Sequence, residues 1–370
     1  MTGSVSRHRR NPQPADRRCR ILSGMGRESE IRFLRFGGRR AAYAVTGEGP
    51  PLVAPAWWVS HLELDWSDDA FRDFWETVAE GHTLVRYDRL GVGMSDREVR
   101  DEDLTLDGDV ALLRAVLDEL ALDKVTLVGG SAGGCAAIAF SARFPERVDR
   151  LLLYGAYADG SAIAAPEVRA SIVATVRSHW GLGSRMLADI FAGDTSSAEQ
   201  KRVARYQREA TSPETAAVLL ELTYRNDVRS QLDAVQAPTW VAHRRGDRAI
   251  PYALGRELAA GIPNATLIPL GGTAHFPWAG DSLSVARALR SALAPAPATG
   301  AVGDSPAALL SGREREVLAL VARGLSDQEI AQQLILSPHT VHRHVANIRT
   351  KLGCTTRSAA VAEAVGLGLL

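Results

Sequence analysis

The chain has 370 residues, 46 % of them hydrophobic, and its 43 basic residues are balanced by 43 acidic ones. That length exceeds a single compact core and calls for one domain of enzyme size plus a small one, while zero net charge means that any nucleic-acid contact must come from a local patch. No apolar run is long enough for a membrane span, and Cys19, Cys135 and Cys354 are too far apart for a metal-ligand spacing or a disulfide framework, so no membrane, no metal and no cofactor are expected and the expected compartment is the cytoplasm.

Residues 1–29 come first. Arginines 7, 9, 10, 17, 18, 20 and 27 face only Asp16, Glu28 and Glu30 within residues 1–30, with no apolar stretch among them. The segment reads as a disordered extension, with Met25 as an alternative start, or otherwise as an arm that touches DNA; it does not read as a secretory signal.

Residues 30–294 alternate short β-branched runs with amphipathic helices, the order of an α/β domain with a mostly parallel sheet covered on both faces. Strands are predicted at 31–36, 41–46, 51–55, 83–87, 124–128, 148–154, 239–242 and 265–268, with a helix over 106–120. Residues 166–228 interrupt the alternation with helical sequence and no strand candidate, and are predicted to form an inserted helical cap.

Within this domain Gly129-Gly-Ser-Ala-Gly133 follows an apolar run and precedes the small-residue helix 132–143. That strand-turn-helix context gives the GxSxG pattern its meaning: the hydroxyl of Ser131 is exposed at a helix N-terminus, where the Ala132 N–H is a candidate oxyanion donor. A serine nucleophile needs a base, and the base needs an orienting carboxylate. Asp247, in His243-Arg-Arg-Gly-Asp-Arg, and His275, in Gly271-Gly-Thr-Ala-His-Phe-Pro, follow strands in the order serine, acid, histidine.

With these pieces, and with Tyr87-Asp-Arg-Leu-Gly-Val-Gly-Met-Ser95 and Arg143-Phe-Pro-Glu-Arg-Val148, residues 30–294 resemble the α/β-hydrolase family. The resemblance implies Ser131 as nucleophile, Asp247 as orienting acid and His275 as general base. One departure stands out: where the family has histidine-glycine after its third strand, this chain has Pro55-Ala-Trp-Trp-Val-Ser-His61. A main-chain N–H of Trp57 or Trp58 is then the candidate second oxyanion donor, and slow turnover or a restriction to reactive esters and lactones follows. Trp57, Trp58 and Trp278, with Trp66, Phe71, Phe74 and Trp75, are candidate walls of an apolar ligand pocket.

Residues 295–308, rich in alanine and proline, form a linker, and 309–370 a second, all-α domain. Ser311 caps its first helix with Glu314 at the capping-box position, Gly324 stops that helix, Ser326 caps the next, and Ser337 with Pro338 opens a third. Val341, Val345, Ile348 and Leu352 recur at helical spacing and face inward, so His342, Arg343, Ala346 and Asn347 point outward, where a helix-turn-helix meets base edges. Arg349, Lys351 and Arg357, with no acid between 337 and 357, neutralise phosphates.

Glu314-Arg-Glu-Val-Leu, Gly324-Leu-Ser-Asp-Gln-Glu-Ile-Ala, Ser337-Pro-His-Thr-Val and Lys351-Leu-Gly resemble the LuxR/NarL-type helix-turn-helix. The resemblance implies base reading from His342, Arg343 and Ala346, a backbone contact from Thr340, and a homodimer paired through the last helix, 355–364, on double-stranded DNA. The family's usual lysine at position 342 is here a histidine, which alters base preference.

The fused halves together are read as a DNA-binding transcription regulator whose hydrolase-like domain senses, and hydrolyses where the chemistry is intact, a small apolar ester or lactone. Two alternatives stay open: an efficient serine hydrolase with a DNA-binding appendage, and a non-catalytic ligand-binding regulator.

Overall fold

The computed structural model describes residues 30–294, 312–334, 338–352, 354 and 356–366. The extension 1–29, the linker 295–308 and the caps Ser311 and Ser337 lie outside the described residues. Contacts divide the chain after Ala294 into two compact units.

The first unit is built on eight strands: β1 (Glu30–Phe36), β2 (Arg39–Thr46), β3 (Pro51–Ala54), β4 (Thr83–Tyr87), β5 (Val125–Gly130), β6 (Val148–Tyr154), β7 (Thr239–Arg244) and β8 (Thr266–Leu270). They lie in the order β1-β2-β4-β3-β5-β6-β7-β8. Only β1 with β2 and β2 with β4 pair antiparallel; from β4 to β8 every pairing is parallel. The β1–β2 turn is made by Gly37 and Gly38, both at positive φ (56° and 82°), the geometry that matches the twist of a tight hairpin.

Helices α1 (Leu62–Ser67), α2 (Asp69–Val78), α3 (Leu106–Glu119), α4 (Ala132–Arg143), the cap helices α5 (Pro166–Ser178), α6 (Trp180–Ala192), α7 (Ser197–Ala210) and α8 (Pro213–Arg225), then α9 (Tyr252–Gly261) and α10 (Ser282–Leu293), complete the unit. Alternate strand residues serve opposite layers. Val53, Leu127, Leu151 and Val241 pack with α3, α4 and α9, whereas Leu52, Val128, Leu152 and Ala242 pack with α2 and α10. Because both faces are covered, β5 is buried along its whole length and reads as a continuous apolar run instead of an alternating one. For the same reason β5 continues through Gly129 and Gly130 and β7 through His243 and Arg244, two residues beyond the hydrophobic runs that mark them in the sequence. Buried glycine, histidine and arginine pair as strand here, a tertiary effect that β-propensity misses.

The second unit holds α11 (Gly312–Ala322), α12 (Asp327–Leu334), α13 (Pro338–Lys351) and α14 (Arg357–Gly366) around Val317, Leu318, Ile330, Val341 and Ile348. Gly324 ends the first helix at φ 85°. A reciprocal capping box opens α12: the Glu329 N–H donates to Ser326 Oγ at 3.3 Å and the Ser326 N–H donates to Glu329 Oε2 at 2.7 Å.

Candidate active site

Ser131 sits between β5 and α4 at φ 50°, ψ −128°, a positive φ that is strained for a residue with a side chain. Its glycine neighbours make the turn affordable: a Cβ on Gly130 would come within 2.0 Å of the Trp57 ring, and one on Gly134 within 2.5 Å of Ala156 Cβ. The turn is thus held by the packing of the segments that follow β6 and β3, and only glycine admits both. Ala132 takes the first helical position, where the N–H has no intrahelical acceptor.

Asp247 lies on the loop after β7 and His275 on the loop after β8. Asp247 Oδ1 accepts the N–H groups of Ala249 (2.9 Å) and Ile250 (3.0 Å), and Oδ2 accepts from His275 Nδ1 at 2.8 Å. An ionised carboxylate can only accept, so Nδ1 carries the proton and Nε2 is the basic nitrogen. That nitrogen is 2.8 Å from Ser131 Oγ, and His275 is 2 % exposed. Burial pushes the Asp247 carboxyl upward, but the charge of His275, its hydrogen bond and that of Ile250 N–H outweigh burial and hold Asp247 below its ordinary value. A serine hydroxyl, a basic imidazole nitrogen and an ionised carboxylate in this line can take the proton from Oγ as it attacks an electrophilic carbon.

Two features that sequence reading missed hold the histidine. The His275 N–H donates to Phe191 O of cap helix α6 at 2.8 Å. Arg244, 1 % exposed at the end of β7, donates from Nη1 to Ala274 O (2.8 Å) and Phe276 O (3.1 Å), and from Nη2 to Pro277 O (3.5 Å), Ala279 O (2.7 Å) and Asp281 O (3.2 Å). One guanidinium therefore organises the loop on both sides of His275.

Ser131 and His275 line a common cavity. Trp57, Trp58, Phe71, Trp75 and Trp278 line it, together with Phe191 and Phe276, which the sequence did not single out. Trp57 stands 5.8 Å from the His275 ring and 5.3 Å from Trp278, and Phe276 stacks on Trp278 at 5.1 Å. Trp58 turns toward the cap, its indole N–H 3.4 Å from Ala216 O. Trp66 and Phe74 are corrections to the expected walls: Trp66 lies over the Arg86 guanidinium at 4.3 Å, and Phe74 is buried among β-sheet and α10 residues. The reason is helical phase, since α2 turns Phe74 toward the sheet while Phe71 and Trp75 reach the cavity.

The cavity also holds polar groups with no motif behind them: Asp65, Arg86, Tyr206 and Gln207. Burial raises the Asp65 carboxyl from 3.8 to about 7, helped by the charge of Asp88 and opposed by a hydrogen bond from Tyr206 and by the charge of Arg86. Between those two pH values the native protein binds more protons at Asp65 than the unfolded chain, so this contribution to stability falls as pH rises from about 4 to about 7. Asp65→Asn should remove that slope, so that the urea midpoint of the variant rises relative to wild type from pH 5 to pH 7.5.

In the second unit His342, Ala346 and Asn347 are exposed on α13. His342 Nδ1 lies 3.5 Å from Asp327 Oδ2 of α12, and Asp327 also takes Arg357 of α14, so this acid ties the start of the third helix to its neighbours. Thr340, Arg343 and Lys351 fall on the same helix; their side chains lie outside the described residues.

Comparison with known proteins gives two family matches: "alpha/beta hydrolase fold" over residues 63–278 and "Bacterial regulatory proteins, luxR family" over residues 308–364. A 2-hydroxy-6-oxononadienedioate/2-hydroxy-6-oxononatrienedioate hydrolase of Cupriavidus pinatubonensis is 32 % identical over 203 residues, 51 % of this chain and 68 % of that protein. The 2-hydroxymuconate semialdehyde hydrolase of Pseudomonas putida is 31 % identical over 235 residues, 58 % of this chain and 78 % of that protein. Among solved structures, a hydrolase from Pseudomonas aeruginosa PA01 superposes with a TM-score of 0.62 at 21 % identity, covering 71 % of this chain and 98 % of that one. Among the described residues, no helix is long and apolar enough to cross a membrane.

Proposed function

Because the chain belongs to the α/β-hydrolase fold family and carries a LuxR-type DNA-binding domain in the same polypeptide, we propose that it is a cytoplasmic, homodimeric transcription regulator whose hydrolase unit binds and hydrolyses a small apolar ester or lactone. Ligand occupancy sets the DNA affinity of the LuxR-type unit. The observation that carries the chemical half is the continuous line Asp247–His275–Ser131, with 2.8 Å at each step, at the foot of an aromatic cavity.

In this reading Ser131 Oγ attacks the carbonyl carbon of the ester while its proton passes to His275 Nε2, and Asp247 stabilises the imidazolium. The main-chain N–H groups of Ala132 and Trp57 receive the negative charge that develops on the carbonyl oxygen. His275 returns the proton to the departing alcohol oxygen, leaving an acyl-serine. A water, deprotonated by the same nitrogen, then attacks the acyl carbon, the bond to Ser131 Oγ breaks, and His275 returns the proton to Oγ as the acid is freed. Domain boundaries at 30–294 and 309–370, with a cap over 166–228 and a linker at 295–308, belong to the same proposal.

For signalling, the ligand must have different affinities for the DNA-competent and DNA-incompetent states. The test selects bound fragments from a random duplex library with the purified chain, with and without a panel of short acyl esters and lactones, and repeats it with Ser131→Ala. Ligand-dependent enrichment of one sequence supports the regulator, and its absence under every condition rejects it. Retained response in Ser131→Ala assigns the signal to occupancy; lost response with retained ligand binding assigns it to hydrolysis. On the selected site Arg343→Ala should weaken binding by about 1–3 kcal/mol and relax one base position, as measured by anisotropy titration. The intact serine line also favours a second reading, an efficient hydrolase with a DNA-binding appendage, for which turnover is fast and no ester changes DNA affinity.

A further inference from the structure

Around Ser131 the cavity is walled by rings, but where α1 meets cap helix α7 it is walled by polar groups, among them the acceptors of Asp65 and Gln207. Asp65 of α1 is 8 % exposed, and with Tyr206 it lines both this cavity and the hollow on its outer side. Its carboxyl receives the Tyr206 hydroxyl and, at 3.3 Å, the His61 N–H. Charged or neutral, a carboxyl keeps acceptor lone pairs beyond these two contacts, so capacity remains. Gln207 of α7 is fully buried and lines the same cavity. Its amide nitrogen donates to Ser184 O and Val203 O, each at 3.3 Å, and its Oε1 has no donor among the described residues. Leaving a buried acceptor without a donor is costly, and a ligand that brings one removes the cost.

Charge at this end is one cation, Arg86, facing two acids, Asp65 and Asp88. The Arg86 guanidinium lies 4.3 Å over the Trp66 ring and 5.4 Å from the Phe71 ring, and the acids Asp65 and Asp88 both act on it. Even with that cation beside it, burial keeps Asp65 largely uncharged up to about pH 7. The surroundings therefore resist one carboxylate already, and a second, on a ligand, meets the same desolvation penalty with the Arg86 guanidinium already shared between Asp65 and Asp88.

We propose that the ligand of this pocket is an uncharged ester or lactone that presents a hydroxyl or N–H group to Asp65 and Gln207, and that carboxylate-bearing ligands are rejected there. The proposal rests on the reading of the cavity as an ester- or lactone-binding site and names its substrate class. A dicarboxylate is the ligand it excludes most strongly.

The test uses full-length Ser131→Ala, so that binding is separated from turnover, and reads quenching of tryptophan fluorescence at pH 7.5. Three probes share one scaffold: methyl 3-phenylpropanoate carrying hydrogen, hydroxyl or carboxylate at the para position. The hydroxyl ester is expected to bind roughly tenfold more tightly than the unsubstituted ester, and the carboxylate ester roughly tenfold more weakly, as one gained hydrogen bond and one uncompensated charge require. Carboxylate binding as tight as hydroxyl binding overturns the proposal, and so does failure of all three to bind at millimolar concentration.

Asp65→Asn in the Ser131→Ala background should shrink the preference for hydroxyl over carboxylate about tenfold. If that protein does not fold, Tyr206→Phe, which takes one donor away from Asp65, should widen the preference; an unchanged preference counts against the proposal in either variant. Wild-type turnover of the same esters is read separately. No turnover with the binding order intact fails the hydrolase reading and leaves this inference standing.

Discussion

Ser131→Ala is expected to lower ester turnover by on the order of 10⁴- to 10⁶-fold, because the serine, histidine and acid act as a unit and the loss of the nucleophile disables the other two. Stability should be unchanged, since the side chain's hydrogen bond is to His275 and the backbone at φ 50° is held by its neighbours and not by the hydroxyl. The measurement pairs turnover of a nitrophenyl ester with labelling by an acyl-serine probe. Labelling of wild type but not of the variant identifies Ser131; equal labelling of both places the nucleophile elsewhere. A double variant with His275→Ala should be scarcely slower than either single variant, the mark of residues that work together.

Arg244→Met is expected to cost about 3–5 kcal/mol of stability in the first unit, since it removes a buried cation and leaves the carbonyl oxygens of buried residues such as Ala274 and Ala279 without that donor. It should also slow turnover by roughly 100-fold with Ser131, His275 and Asp247 all present, because an ångström of drift in the histidine loop is enough to spoil the line to Oγ. Arg244→Lys retains the charge but not the planar fork that spans residues 274 to 281, so it should fall between the two. Thermal unfolding together with kcat and KM checks this: a fall in kcat at nearly constant KM marks a positioning role, and a Met variant with wild-type kcat rejects it.

Legibility in the sequence followed the range of the physics. Ser131 was readable because a strained turn at a helix N-terminus demands small residues on both sides, and that demand is written within five positions. Asp247 and His275 were readable as loop residues after strands in the required order. Arg244 was not: a single arginine at the end of a strand carries no local signal, and its acceptors lie 30 to 37 positions away. Gln207 looks like any polar residue of an amphipathic helix until α7 is packed on α6. Trp66 and Phe74 show the converse failure, since an aromatic near the site in sequence is not an aromatic in the wall. In the second unit the core residues Val341, Val345 and Ile348 followed from their spacing, while the capping box of Ser326 with Glu329, the same signature as the one assigned to Ser311 and Glu314, went unread.

By itself, the sequence determined the two folds, their order along the chain and the identity of the three residues in the candidate catalytic line, because hydrophobic period, turn chemistry and short motifs are properties of neighbouring residues. Tertiary structure alone decided that Ser131 and His275, 144 positions apart, lie at hydrogen-bond distance, which rings face the cavity, and that Asp65, Arg86, Tyr206 and Gln207 line its polar end. Those outcomes depend on how strands register, how α2 docks against the sheet and how α7 packs on α6, and docking is set by the summed packing of many residues, no one of which announces it.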